Sequence, residues 1–237
     1  MVATLLKTMI NQLTLGIRLH DEANFESFFT GENKEVIAAL KKLVHDPGWN
    51  YVYIYGENGV GKSHLLQACC QLASRHNLTS FYLPLSREVS PTILEGLDNF
   101  SLVCIDDIQE SASNSLWEES LFHFYNQGTL SKMRLLIAGS SLPQQLPFRL
   151  PDLISRLNAG ITYHLKDLSD TQKLMTMQLR AQIRGFELSD EVGKYLLNHF
   201  PRGMGALLEL LEKLDQVSLQ AKQKITIPLI KHYFQAK

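Results

Sequence analysis

The sequence predicts an α/β fold, a five-stranded parallel sheet covered by helices on both faces as three layers, followed by a small all-helical C-terminal domain. Three observations carry this expectation. Short β-rich apolar runs alternate with helical segments up to residue 165, a glycine-rich turn joins the first run to the next helix, and beyond Leu165 only helical periodicity remains. The same shifts divide the chain into an extended arm over 1–22, an α/β domain over 23–165 and a helical domain over 166–237.

Taken in order, residues 1–22 carry little periodicity. From Asn24 the spacing of Phe25, Phe28, Phe29, Val36, Ile37, Leu40 and Leu43 predicts a helix that stops before Pro47-Gly48. Tyr51–Tyr55, Thr79–Leu83, Leu102–Ile105, Leu135–Ala138 and Ile161–Leu165 are the strand candidates. Ser169 with Gln172 forms a capping box, and the helix it opens runs through Leu174, Met177 and Ala181 toward Gly185. Asp190–Phe200, Met204–Gln216 and a segment opened by Thr226 and Pro228 complete the helical domain. Tyr51, Tyr53 and Tyr55 alternate, which assigns them to one face of the sheet.

Composition excludes several classes. The 237 residues hold 23 basic and 24 acidic side chains, a net charge of −1, with 45% hydrophobic and 20% charged residues. That is enough apolar surface for a core, and it gives no overall positive field to hold a polyanion, so no direct sequence-specific DNA binding is expected. Three cysteines, Cys69, Cys70 and Cys104, cannot all pair and read as reduced core residues. The apolar stretch Val2–Ile10 is interrupted by Lys7 and has no small-residue cleavage site, and no run approaches a membrane span. No membrane association is expected, and the cytoplasm is the expected compartment.

Gly56-Glu57-Asn58-Gly59-Val60-Gly61-Lys62-Ser63 fits GxxxxGK[ST] directly after a strand and before a helix, with His64 next in line. Gly56, Gly59 and Gly61 are expected to supply the backbone angles that turn N–H groups inward. The following helix N-terminus attracts phosphate, Lys62 neutralises its charge, and the Ser63 hydroxyl meets Mg²⁺. The apolar run Leu102–Ile105 ends in Asp106 and Asp107, a Walker B arrangement in which Asp106 belongs to the Mg²⁺ shell and Asp107 orients a water. The competing reading makes the two acids a cap for the next helix. The eight histidines show no metal-ligand spacing, and His64 reads as a helix-start residue beside the phosphates.

With these motifs, Ser155-Arg156-Leu157 and a helical C-terminal domain, the chain resembles the AAA+ ATPases, and within them the DnaA branch. Phe25–Asn33 is similar to the opening of DnaA's nucleotide domain, and Ile105-Asp106-Asp107-Ile108-Gln109 to its acidic strand end. The sequence ends where DnaA continues into a helix-turn-helix domain, and its arm is shorter than DnaA's N-terminal domain, a pattern that resembles Hda. The Hda likeness lies in Leu102–Ile108, Leu150–Leu157 with Gly160, Leu179–Leu188 and Lys224–Pro228.

The resemblance implies a bound nucleotide, ADP as the productive ligand or ATP, and two partners, DnaA and the DNA polymerase III β sliding clamp. Arg156 matches the arginine finger that a neighbouring subunit delivers to a γ-phosphate, here to ATP held by DnaA. An ion-paired helix arginine is the alternative. Arg202 matches the lid arginine that senses phosphates, although Gly203 and Gly205 weaken a helix there and a solvated arginine stays open. Ser140 takes the sensor position on the fourth strand or is a plain loop residue. Gln12, Leu13 and Leu15 of Gln12-Leu13-Thr14-Leu15 resemble a clamp-binding peptide, with Gly16 where that family carries proline. A second functional class is a self-sufficient AAA+ ATPase, a helicase loader or chaperone in a homo-oligomer, supported by the intact Asp106-Asp107 pair. A DNA-docked adaptor is disfavoured by the charge.

Overall fold

The computed structural model describes residues 23–48, 50–86, 88–221 and 223–234. The predicted arm, with Gln12, Leu13 and Leu15, lies outside the described residues. The rest divides into two compact units. One holds 23–28, Glu35–Tyr55 and Ser63–Tyr163, and the other holds Phe29–Lys34, Gly56–Lys62 and the described residues from His164 onward.

The sheet has strands β1 (Asn50–Tyr55), β2 (Ser80–Pro84), β3 (Leu102–Asp106), β4 (Arg134–Gly139) and β5 (Ile161–His164) in the order β2-β3-β4-β1-β5. Burial follows that order. Every residue of β3 and β4 is buried and β1 is buried except at its ends, whereas the edge strands β2 and β5 are largely half-exposed. The central strands are continuous apolar runs because both of their faces are covered. Helices α1 (Lys34–His45), α2 (Lys62–Arg75), α3 (Ser115–Ser131) and α4 (Pro151–Asn158) alternate with the strands.

Tyr51 and Tyr53 share one core cluster with Val103, Ile105, Leu135, Ile137, Phe124 and Leu153, and Tyr55 packs against it, as their alternation predicts. Their hydroxyls do not stay unpaired in this apolar setting. Tyr51 donates to the Leu157 carbonyl at 3.0 Å and Tyr53 to that of Ser141 at 2.9 Å. Cys69, Cys70 and Cys104 are free and buried, and burial pushes the thiols of Cys69 and Cys104 up.

The helix expected from Asn24 is a correction. Residues 25–27 form a turn and α1 begins only at Lys34. Asn24 and Ser27 satisfy each other's backbone, Ser27 N–H donating to Asn24 Oδ1 at 2.8 Å and Ser27 Oγ donating to the Asn24 carbonyl at 3.0 Å. Gly31 then takes φ +51°, outside the helical region. The apolar spacing belongs to two separate elements.

In the other unit, α5 (Asp170–Ile183), α6 (Asp190–His199), α7 (Met204–Ala221) and α8 (Ile227–Phe234) enclose a core of Met177, Ala181, Leu196, Leu207, Leu211, Leu214 and Ile230. The capping box forms as read from the sequence, with Gln172 N–H donating to Ser169 Oγ and Ser169 N–H to Gln172 Oε1. Among the described residues no helix is long and apolar enough to cross a membrane.

Candidate nucleotide site and arginine helix

The glycine loop lies in the same unit as the helical region. Gly59 and Gly61 adopt φ +83° and +100°, conformations only glycine takes without strain. Gly56 does not have a positive φ, which corrects the role expected of it. It is needed because a Cβ there would lie 2.6 Å from the Leu165 carbonyl oxygen. Lys62 is buried and its Nζ donates to the carbonyls of Gly56 and Glu57 at 2.7 and 2.8 Å, curling the loop around its own ammonium.

The loop also meets the start of α7. Met204 N–H donates to the Gly59 carbonyl at 3.1 Å, and a Cβ on Gly59 would lie 2.8 Å from the Gly203 Cα. Gly203 therefore permits a backbone-to-backbone approach that sequence reasoning treated as a departure from pattern. The signal was its place one residue before the helix, where a glycine costs no helix propensity. Arg202 is outside the helix. Its guanidinium lies 3.4 Å from Asp170 and donates from Nε to the Leu197 carbonyl at 3.2 Å.

Asn33, also missed, fixes the chain just before α1. Its side-chain amide donates to the Lys166 carbonyl at 2.9 Å and accepts from the Lys166 N–H at 2.8 Å, copying a strand ladder with one side chain.

In the sheet-bearing unit, β3 delivers Asp106 to a buried position. Tyr82 Oη donates to it at 2.8 Å, the Asp107 N–H donates to its Oδ1 at 3.0 Å, and Ser63 hydrogen-bonds it too. Burial raises the Asp106 carboxyl above the usual range, while the Ser63 and Tyr82 hydrogen bonds oppose that shift. Ser63 and Asp106 are thus already together, as a shared cation requires. Tyr82 carried no sequence signal beyond an aromatic on a β run.

Asp107 adopts φ 54° and makes no cap hydrogen bond to the 3-10 turn that follows, which sets aside the capping alternative. Its carboxylate accepts from Gln109 Nε2 at 2.9 Å, and Gln109 Oε1 accepts from the Ser140 N–H at 3.1 Å. One glutamine therefore joins the ends of β3 and β4. Gln109 stands in the acidic strand-end motif, so the signal was present but its role was not read. Ser140 is exposed and contributes its backbone to this link. The His64 side chain packs on the turn at Asn24, with Nε2 2.9 Å from the Asn24 carbonyl and its ring 5.5 Å from that of Phe28.

Arg156 is exposed on α4, a helix opened by Pro151. Among the described residues it makes no ion pair, so the ion-paired alternative does not describe it, and it shares no hydrogen bond with Ser63, Asp106, Asp107 or Ser140. Its guanidinium lies 6.0 Å from the centroid of the Tyr125 ring.

The comparisons agree with this geometry. A family model for the Hda lid domain matches residues 170–234, and a model for the bacterial DnaA ATPase domain matches residues 19–88. Domain III of the Thermotoga maritima replication initiation protein DnaA superposes with TM-score 0.80 at 22% identity, covering 93% of this chain and 99% of that one. AMPPCP-bound DnaA from Aquifex aeolicus gives 0.69 at 23% identity over 87% and 70% of the two chains. The Thermotoga maritima RuvB Holliday junction branch migration motor gives 0.69 at 15% identity over 92% and 72%. A parallel sheet in this order, a glycine loop after β1 and a helical lid define an AAA+ fold. Within that class the chain is similar to the Hda lid domain over 170–234 and to the bacterial DnaA ATPase domain over 19–88.

Proposed function

We propose that this chain is a negative regulator of replication initiation that supplies Arg156 in trans to ATP held by DnaA. The observation that carries the reading is an exposed guanidinium, on a short helix, without a carboxylate partner among the described residues. Such a group is free to be withdrawn from water into a neighbour's site, where it stabilises charge growing on the γ-phosphate. Residues 1–22 serve as the tether, with Gln12, Leu13 and Leu15 filling a pocket of the DNA polymerase III β sliding clamp. Residues 23–165 form the nucleotide-binding domain and 166–237 the lid. The reading assigns the protein to the cytoplasm.

The chain's own nucleotide is ADP on this reading, a ligand that orders the loop and lid without turnover. Gly56–Ser63 cradle its phosphates, Arg202 leaves Asp170 to meet them, and His64 braces the helix start. Ser63 and Asp106 fit a Mg²⁺ ion arriving with the nucleotide, because an exposed hydroxyl already meets a buried carboxylate there. Mg²⁺ would supply charge neutralisation at the phosphates.

The test is a reconstituted assay of ATP hydrolysis on DnaA with DNA-loaded clamp. Adding this protein accelerates hydrolysis, and an unchanged rate rejects the proposal. A second reading, a self-sufficient ATPase in a homo-oligomer, is favoured by the Gln109 contact that holds Asp107 in place with Ser140 beside it. It predicts single-turnover ATP loss by the purified chain that falls in Asp107→Asn.

A further inference from the structure

We infer that α3 is the platform that positions Arg156, through Tyr125 beneath the guanidinium and Glu118 at the root of the arginine helix, an inference that rests on the trans-acting role proposed above. Both residues project from α3, two turns apart, toward opposite ends of α4.

Glu118 is 2% exposed, which demands that its carboxylate be fully used. One oxygen accepts from the Arg149 and Leu150 N–H groups at 2.8 and 2.7 Å, and the other from the Ser113 N–H at 2.9 Å. Arg149 and Leu150 are the two residues immediately before Pro151, where α4 begins, and proline offers no N–H of its own. The carboxylate therefore fixes the direction in which α4 leaves the loop, using charge-assisted bonds that exceed neutral ones in strength.

Tyr125 fixes the other end. Its ring is 7% exposed and stands edge-on to Tyr51 at 5.4 Å, whose hydroxyl in turn holds the Leu157 carbonyl, one residue after Arg156. Gly160 follows closely, and any Cβ there would lie 2.2 Å from the Tyr51 ring. The ring face offered to Arg156 is consequently a rigid surface. A guanidinium 6.0 Å from its centroid gains cation–π attraction while keeping its donors available to a partner's phosphate oxygens. An ion pair would also orient the side chain, but it would occupy those donors.

The experiment measures hydrolysis of DnaA-bound ATP by the full chain with DNA-loaded clamp, as a function of its concentration. Tyr125→Met keeps volume without a ring face, and Tyr125→Phe keeps the face. Tyr125→Met is expected to lower the maximal stimulation by about three- to tenfold, with half-saturating concentration and nucleotide affinity unchanged, and Tyr125→Phe to restore it. Glu118→Gln, which lacks the second acceptor oxygen, is expected to lower the same maximum. In the wild-type chain, ring current from Tyr125 shifts the Arg156 side-chain resonances upfield, a readout that needs no Tyr125 variant to fold. Normal maxima in Tyr125→Met and Glu118→Gln, or unshifted Arg156 resonances, overturn the inference while Arg156→Ala remains inactive. An Arg156→Ala chain that stimulates normally removes the trans-acting role itself and the platform with it.

Discussion

At Asp106 two opposing demands meet on one carboxylate. Burial favours its protonated form, and the Ser63 and Tyr82 donors with the Asp107 amide favour the ionised one. Because the folded-state value is raised, folding favours the proton. The contribution is most favourable in acid and is lost as pH rises through the raised value. Asp106→Asn is therefore expected to raise the thermal midpoint at neutral pH and to lose that advantage toward about pH 4, while nucleotide affinity in Mg²⁺ falls. Differential scanning calorimetry across pH checks the sign, and a variant that melts lower at neutral pH contradicts it. Tyr82→Phe leaves the same carboxylate with one donor fewer, which should cost about 1–3 kcal/mol in a denaturant titration.

Among the elements, the contact between the glycine loop and the start of α7 leaves little room for an added methyl group. Gly203→Ala places a Cβ 3.3 Å from the Gly59 Cα and 3.5 Å from the Asn58 carbonyl oxygen. Adjustment of the loop is then expected to weaken nucleotide binding by roughly tenfold, about 1.4 kcal/mol, read by fluorescent-nucleotide titration. An unchanged affinity would show that the loop tolerates the displacement. The strands and the capping box were legible because β3 and β4 are unbroken apolar runs and Ser169-x-x-Gln172 is a local signal. The loop residues were legible from spacing alone. The roles of Asn33, Tyr82 and Gly203, and the contacts of Gln109 with Ser140 and of Glu118 with Arg149 and Leu150, were not, since each joins residues brought near by folding and not by sequence. Asn33 reaches Lys166 across 133 positions. The turn at Asn24 was misread because Asn24 and Ser27 supply backbone partners that outcompete a helix, a side-chain effect invisible to apolar periodicity.

For the whole molecule, tether, nucleotide and arginine are separable on this account. Leu13→Ala with Leu15→Ala should abolish capture by immobilised clamp and leave nucleotide binding intact, and retained capture would assign the tether elsewhere. Near-neutral net charge fits a protein that reaches DNA through a partner. The most direct measurement of the central claim follows radiolabelled ATP loaded on DnaA, with DNA-loaded clamp, in the presence of wild-type chain or Arg156→Ala. The account predicts that the substituted chain still binds clamp and nucleotide with wild-type affinity but no longer accelerates hydrolysis, a loss on the scale of an arginine finger at about 10³-fold or more in rate. Hydrolysis accelerated equally by both chains would contradict it.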